Sequence, residues 1–283
     1  MPGKPQAHGR LVMTTALRPL STGELLDRTF SLYRTHFVLF VAIFALPHLA
    51  VLAFQCVALA FQTPGASLSR LFTTLAWSWG AILLSMVASA ASQAATVIAV
   101  SNVHLDRPAS VTDSFSKIKN QIAGVIGLSL AVGILVGLGF IFLIVPGILL
   151  VMMWSLAIPI KVLENKGVGD SMTRSSELTK GNRSRIFVIW LLFVVLSIGV
   201  SLLLRWPIEI AAGVHSIFAL QRVAAEWQVA SLVATFVSEC LVGPLATIAF
   251  SLVYYDERVR KEAFDLQLMM STLDAPALQS APA

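Results

Sequence analysis

The chain has 283 residues, of which 57% are hydrophobic and only 12% charged, with a mean hydropathy of +0.81. An average soluble domain carries about 25% charged residues, so this composition excludes a water-surrounded globule and makes lipid the solvent for most of the chain. A formal charge of +5 and a pI near 9.5 would suit nucleic acid, but the basic residues are scattered between apolar runs rather than gathered on one face, so no nucleic-acid partner is expected.

Residues 1–20 carry Lys4, Arg10 and Arg18 without the apolar run of a secretory signal and read as a flexible cytosolic tail. A short amphipathic helix follows over 22–35. Ser21 and Glu24 have capping-box spacing, and Leu25, Leu26, Thr29, Phe30 and Tyr33 form its apolar stripe. The first two spans are placed at 37–61 and 71–100 because each exceeds the length needed to cross a hydrocarbon core of about 30 Å. A second amphipathic helix over 111–120 starts behind Ser110, with Asp113 three residues on and Val111, Phe115, Ile118 and Ile122 on one face.

Spans at 122–145 and 147–163 come next, separated only by Pro146-Gly147. A tight turn is predicted there, since proline fixes φ and glycine accepts positive φ. The third amphipathic helix, 169–180, has Gly167 where the other two have a capping serine, and Gly181 behind Lys180 as its terminator. The fifth span, 186–204, is followed by a stretch over 208–220 that is short and holds Glu209 and His215, so it reads as interfacial or re-entrant. The sixth span covers 229–255, and residues 266–283, rich in Ala, Pro and Ser, read as a flexible tail.

The three polar connectors share a pattern of acid, any, apolar, any, base: Glu24 to Arg28, Asp113 to Lys117, and Asp170 to Arg174. Each acid lies at the positive end of its helix dipole, and each base is placed for an i,i+4 pair. The predicted fold class is therefore all-α. It is a polytopic membrane bundle of about six transmembrane helices in three hairpins, each preceded by a cytosolic amphipathic helix. Lysine and arginine concentrate before the first span, in the second and fourth connectors and after the sixth span, which puts both termini in the cytosol. Gly133 and Gly137, and the Ser and Ala ridge from Ser85 to Ala95, predict close helix packing and leave the oligomeric state open.

Four segments together resemble the glycerophosphoryl diester phosphodiesterase membrane-domain family. They are Leu17-Arg18-Pro19-Leu20-Ser21-Thr22-Gly23-Glu24-Leu25-Leu26-Asp27-Arg28, Pro146-Gly147 leading to Trp154-Ser155-Leu156-Ala157-Ile158-Pro159, Arg174-Ser175-Ser176-Glu177-Leu178-Thr179-Lys180-Gly181, and Tyr254-Tyr255-Asp256-Glu257-Arg258-Val259-Arg260-Lys261-Glu262. The resemblance spans nearly the whole chain and implies a bacterial cytoplasmic (inner) membrane location. The phosphodiesterase barrel joined to this module in the proteins that give the family its name is not expected in the short sequence after Glu262, and the resemblance implies no catalytic residue here.

No metal-binding or nucleotide motif is present in the sequence, so neither a metal nor a cofactor is expected. Cys56 and Cys240 lie in apolar runs and read as small hydrophobes. Glu239 stands near the middle of the sixth span, with Pro244 one turn later, and a carboxylate there costs several kcal/mol unless protonated or paired. It reads either as a proton- or cation-linked site shared with His48, Gln55 or Gln93, or as a hydrogen-bonded structural acid. Arg28, Lys117, Arg174, Tyr254, Tyr255, Arg258 and Arg260 are candidate contacts to lipid headgroups or a partner, or simple interface anchors. The functional expectation is a non-enzymatic module organising membrane lipid or other membrane proteins through its cytosolic amphipathic helices. A small transporter using Glu239 is the alternative, and a lipid-active enzyme the third reading.

Overall fold

The computed structural model describes residues 20–61, 68–219 and 225–262. Among these residues there is no strand, and the helices are α1 (Thr22–Thr35), α2 (Phe37–Ala60), α3 (Leu68–His104), α4 (Val111–Ile118), α5 (Ile122–Phe142), α6 (Ile144–Trp154), α7 (Ala157–Glu164), α8 (Val168–Thr179), α9 (Arg183–Ala219) and α10 (Ala225–Glu262). Among the described residues six stretches are long and apolar enough to cross a membrane: α2, α3, α5, α6 with α7, α9 and α10. In lipid each must satisfy its own backbone, which only a helix does within one segment. The chain is thus an all-α, multi-pass membrane bundle.

Helix α10 is the axis of the bundle, packing against α9, α2, α1 and α3. Three features of the architecture depart from the sequence expectation. The stretch over 208–220 is no separate interfacial helix within its described part, because α9 runs on through Pro207 to Ala219 and Glu209 pairs with Arg205 at 2.8 Å one turn away. The turn between the third and fourth spans falls on Leu143, whose extended backbone caps α6, and not on Pro146-Gly147. Pro146 instead occupies the first turn of α6, where a missing N–H goes unmissed. Gly147 allows close approach, since a Cβ there would meet the Phe140 ring at 2.6 Å. The third departure is in the amphipathic helices, whose apolar faces meet protein. Leu25 of α1, Ile118 of α4 and Leu178 of α8 are each no more than 1% exposed and belong to one core.

Capping explains where these helices begin. Ser21 and Glu24 make the full reciprocal box, Ser110 accepts from the Asp113 amide at 3.1 Å, and Gly167 leaves α8 without a side-chain cap. Gly181 follows the end of α8 with φ +93°. Of the three expected acid–base pairs, Asp113–Lys117 closes at 2.9 Å, while Arg28 and Arg174 reach across to other helices. Phe30 points outward rather than joining its predicted stripe. Leu20, the last residue of the expected flexible tail, has both its backbone groups held by side chains of α9 and α10; residues 1–19 and 263–283 lie outside the described residues. At the other end of α1 the Tyr33 hydroxyl donates to the Leu241 carbonyl at 2.9 Å. Burial, with the neighbouring Cys240 second, pushes that hydroxyl up to about 12.

The fourth span is broken at Ser155-Leu156, between α6 and α7. Pro159 lacks the N–H that would continue the hydrogen-bond ladder across this point. Ser175 of α8 repairs it, donating to the Met153 carbonyl at 2.8 Å and accepting from the Leu156 amide at 3.2 Å. Ser175 is fully buried. Ser175→Ala is therefore expected to lower the thermal stability of the purified protein by about 1–3 kcal/mol, the usual penalty for stranding buried polar groups. A melting curve matching the parent would show that water already serves the break.

Candidate functional site

A cavity of about 600 Å³ lies among all six spans. Helix α9 packs along α10 and touches α6, α5 packs on α3 and α6, and the cavity occupies the space these pairings leave. Most of its wall is apolar and includes Trp154, Trp190, Phe193 and Phe250. The break in the fourth span also faces it, through Ser155, Ala157, Ile158 and Pro159. Irregular backbone within a membrane bundle is tolerated where it lines a cavity or is buried in protein. Ser129 contributes a buried hydroxyl for which the described residues supply no hydrogen-bond partner.

The polar groups of the cavity concentrate around His48 and Glu239. Glu239 lies 17 residues from Asp256, which at 1.5 Å per residue is about 25 Å along α10. His48 is only 4% exposed, whereas the Glu239 side chain is half-exposed toward the cavity. The His48 Nδ1 is 2.9 Å from the Phe44 carbonyl, and because a carbonyl only accepts, Nδ1 carries a hydrogen. Its Nε2 then faces Ser89 Oγ at 3.4 Å and Glu239 Oε2 at 3.8 Å. Phe44 stacks on the imidazole with ring centroids 5.8 Å apart and ring planes 11° apart.

Of the four intramembrane residues singled out in the sequence, the fold brings together Glu239, His48 and Gln93 around this cavity. Gln55 stands apart. It lines a smaller cavity of about 360 Å³ with Trp77, Thr73 and Gln228 between α2, α3 and α10. Ser89 and Ser129 were missed as site residues. Ser89 carried a signal only as one of a ridge of small residues, and Ser129 carried none. Among the described residues no three His, Cys, Asp or Glu side chains converge as a metal site requires.

The residues proposed as interfacial contacts form a second constellation at the basic end of the bundle. Tyr254 is fully buried; its hydroxyl donates to Glu164 Oε1 at 2.9 Å and accepts from Arg258 Nη1 at 3.0 Å. Arg258 also donates to Glu262 at 3.1 Å, and Arg174 pairs with Glu262 while lying 3.8 Å from Glu164. Tyr255 stacks on His104 at 5.0 Å, and Arg28 meets the Nδ1 of that histidine at 3.3 Å. Lys117 joins Asp113 and Asn102 beside α3 and remains exposed.

Beneath them lie Asp256 and Glu257, to which the sequence reading gave no contact of their own. Asp256 accepts from the Leu20 amide at 2.6 Å, from Arg260 at 2.9 Å and from Arg185, while Asn182 donates twice to the fully buried Glu257. Lys261 donates to the carbonyls of Glu177 and Lys180, closing the end of α8. Arg174, Tyr254, Tyr255 and Arg258 are thus largely engaged inside the protein, and Arg260 keeps an outward face. Their clearest role is to lock α1 and α8 onto α10.

Compared with known proteins, the chain matches no family model, no curated protein and no solved structure.

Proposed function

We propose that this chain is a non-enzymatic integral membrane module that holds an amphiphilic molecule, drawn from the bilayer, in the cavity among its spans. The observation that carries the reading is that cavity: aromatic and aliphatic over most of its wall, with one polar cluster at His48 and Glu239. Its volume falls in the range of sites that enclose small ligands, about 300–1,000 Å³. The sequence pointed to lipid or partner contact through the amphipathic helices. Their apolar faces are already covered by the bundle, which moves the proposed lipid contact inward. Placement in the bacterial inner membrane with both termini cytosolic, and membership of the glycerophosphoryl diester phosphodiesterase membrane-domain family, belong to the same proposal. They rest on the charge distribution and on the four motif segments.

Ser197, exposed at the edge of the cavity on α9, is the place to test it. Native mass spectrometry of the purified protein is expected to find a retained amphiphile, and Ser197→Trp, which fills the cavity edge without touching the core, is expected to lower its occupancy at least about tenfold with unchanged melting behaviour. Equal occupancy in both proteins would sink the reading. A second reading, a carrier, is favoured by the broken fourth span beside a carboxylate-bearing cavity. It predicts flux of the bound molecule in proteoliposomes that is lost in Ser197→Trp.

A further inference from the structure

We propose that the polar group recognised in this cavity is a cationic nitrogen or another organic onium centre, and that it binds Glu239 in exchange for one proton. The inference rests on the cavity being a binding site, and it names the chemical class of the ligand.

The first observation is the charge inventory of the wall. His48 and Glu239 are its only ionisable residues among the described residues, so no lysine or arginine is present to meet a phosphate or carboxylate. A phosphate in this cavity would meet no lysine or arginine and would face the Glu239 carboxylate, whereas a cation finds Glu239 half-exposed and lining the space. The second is the ring content. Trp154, Trp190, Phe193 and Phe250 line the cavity beside Phe44. Indole and phenyl faces attract quaternary and protonated amines, and do so more strongly when water is excluded.

The third observation sets the proton count. The Phe44 carbonyl holds a hydrogen on Nδ1 of His48, leaving Nε2 and the Glu239 carboxylate 3.8 Å apart. A net charge at this depth is costly, so the neutral pair, with one proton between Nε2 and Oε2, is the resting arrangement. That proton belongs to the pair as a unit. When a cation settles against the carboxylate, the pair gives the proton up: the site passes from a neutral pair to a carboxylate beside a neutral imidazole, and the incoming positive charge replaces the departing one. Charge in the cavity is unchanged. The surroundings offer no competing group of the same kind. Helix α3 contributes the uncharged Ser89, Ser92 and Gln93, and α5, α6, α7 and α9 contribute no ionisable side chain to the wall. Outside the wall, α10 carries the Cys240 thiol next to Glu239, and α1 brings the Tyr33 phenol, which donates to the Leu241 carbonyl.

The test uses the full chain in neutral maltoside micelles and the hydrophobic cation tetraphenylphosphonium, with uncharged triphenylphosphine oxide as its partner. Calorimetry in buffers of different ionisation enthalpy is expected to show about one proton released per cation, and affinity rising about tenfold per pH unit while the pair still holds its proton. Glu239→Gln, nearly isosteric, is expected to weaken cation binding at least tenfold and abolish proton release, while leaving the neutral compound unaffected. If wild-type protein binds the neutral compound as well as the cation, or the Gln variant keeps cation binding with proton release, the exchange is overturned although the cavity reading stands. Should neither compound bind wild-type protein, the cavity reading itself falls, and the exchange with it. Adding phosphatidylcholine separates two sources of the same ammonium chemistry: competition assigns it to a lipid headgroup, and unaltered affinity to a free cation.

Discussion

Replacing Asp256 with alanine is expected to lower the stability of the purified protein by about 3–5 kcal/mol, the range for breaking a buried charge pair from one side. The Asp256 side chain is 1% exposed, yet it serves the Leu20 amide, Arg185 and Arg260 at once. Its removal leaves the guanidinium of Arg185, itself 15% exposed, with Glu257 at 3.8 Å as its remaining carboxylate. It also strips the start of α1 of its anchor, so limited proteolysis should cut at Leu20-Ser21 faster in the variant than in the parent. Arg260→Ala makes the contrast. That side chain is 32% exposed and its loss leaves Arg185 on Asp256, so the cost is expected to be smaller, about 1 kcal/mol. Equal denaturation midpoints for Asp256→Ala and Arg260→Ala would mean that the cluster is solvated and does not hold α1 in place.

The same cluster shows where the sequence was readable and where it was not. The six spans were legible because the signal is local: some twenty apolar residues without charge have one home. The caps at Ser21 and Ser110 were legible for the same reason, being set by residues three apart. What covers an apolar stripe is not local. Leu25, Ile118 and Leu178 would look alike whether they met lipid, a partner or their own bundle. Tyr254, Arg258 and Arg260 at the end of a span read naturally as an interface belt. Only the fold shows that Asp256 and Glu257 turn inward between them to bind Arg185 and Asn182, about 70 residues earlier in the chain.

At the cavity, Glu239 was conspicuous because a lone acid in an apolar helix is expensive, and His48 was conspicuous for the same reason. Their partnership was legible only as one of three, with Gln55 and Gln93 as equal candidates. The pairing depends on how closely α2 approaches α10, and the residue that sets the approach, Gly243, belongs to no recognised pattern. The glycine pair that did stand out, Gly133 and Gly137, plays a smaller part. A Cβ on Gly133 would touch only the end of Met86, and one on Gly137 would meet nothing within 4 Å.

This contrast between glycines leads to a sharp expectation for Gly243→Ala. A Cβ at that position would come within 2.3 Å of the Phe44 ring, which is 5% exposed and cannot swing away into solvent. Overfilling a packed contact costs about 1–3 kcal/mol, here set against the gain of about 1 kcal/mol that alanine brings to a helix interior. Gly137→Ala collects that gain without the clash, so in thermal melts the two variants should move in opposite directions. The larger consequence is at the site. Phe44 supports His48 twice, through its ring face and through the carbonyl that holds Nδ1, so displacing Phe44 turns Nε2 away from Glu239. Ligand occupancy should therefore fall in Gly243→Ala by more than its stability loss explains, and Phe44→Leu added to the same protein should restore packing but not the stacked imidazole. If the double variant recovers stability and occupancy together, Phe44 is only a spacer between α2 and α10, and His48 reaches Glu239 without its help.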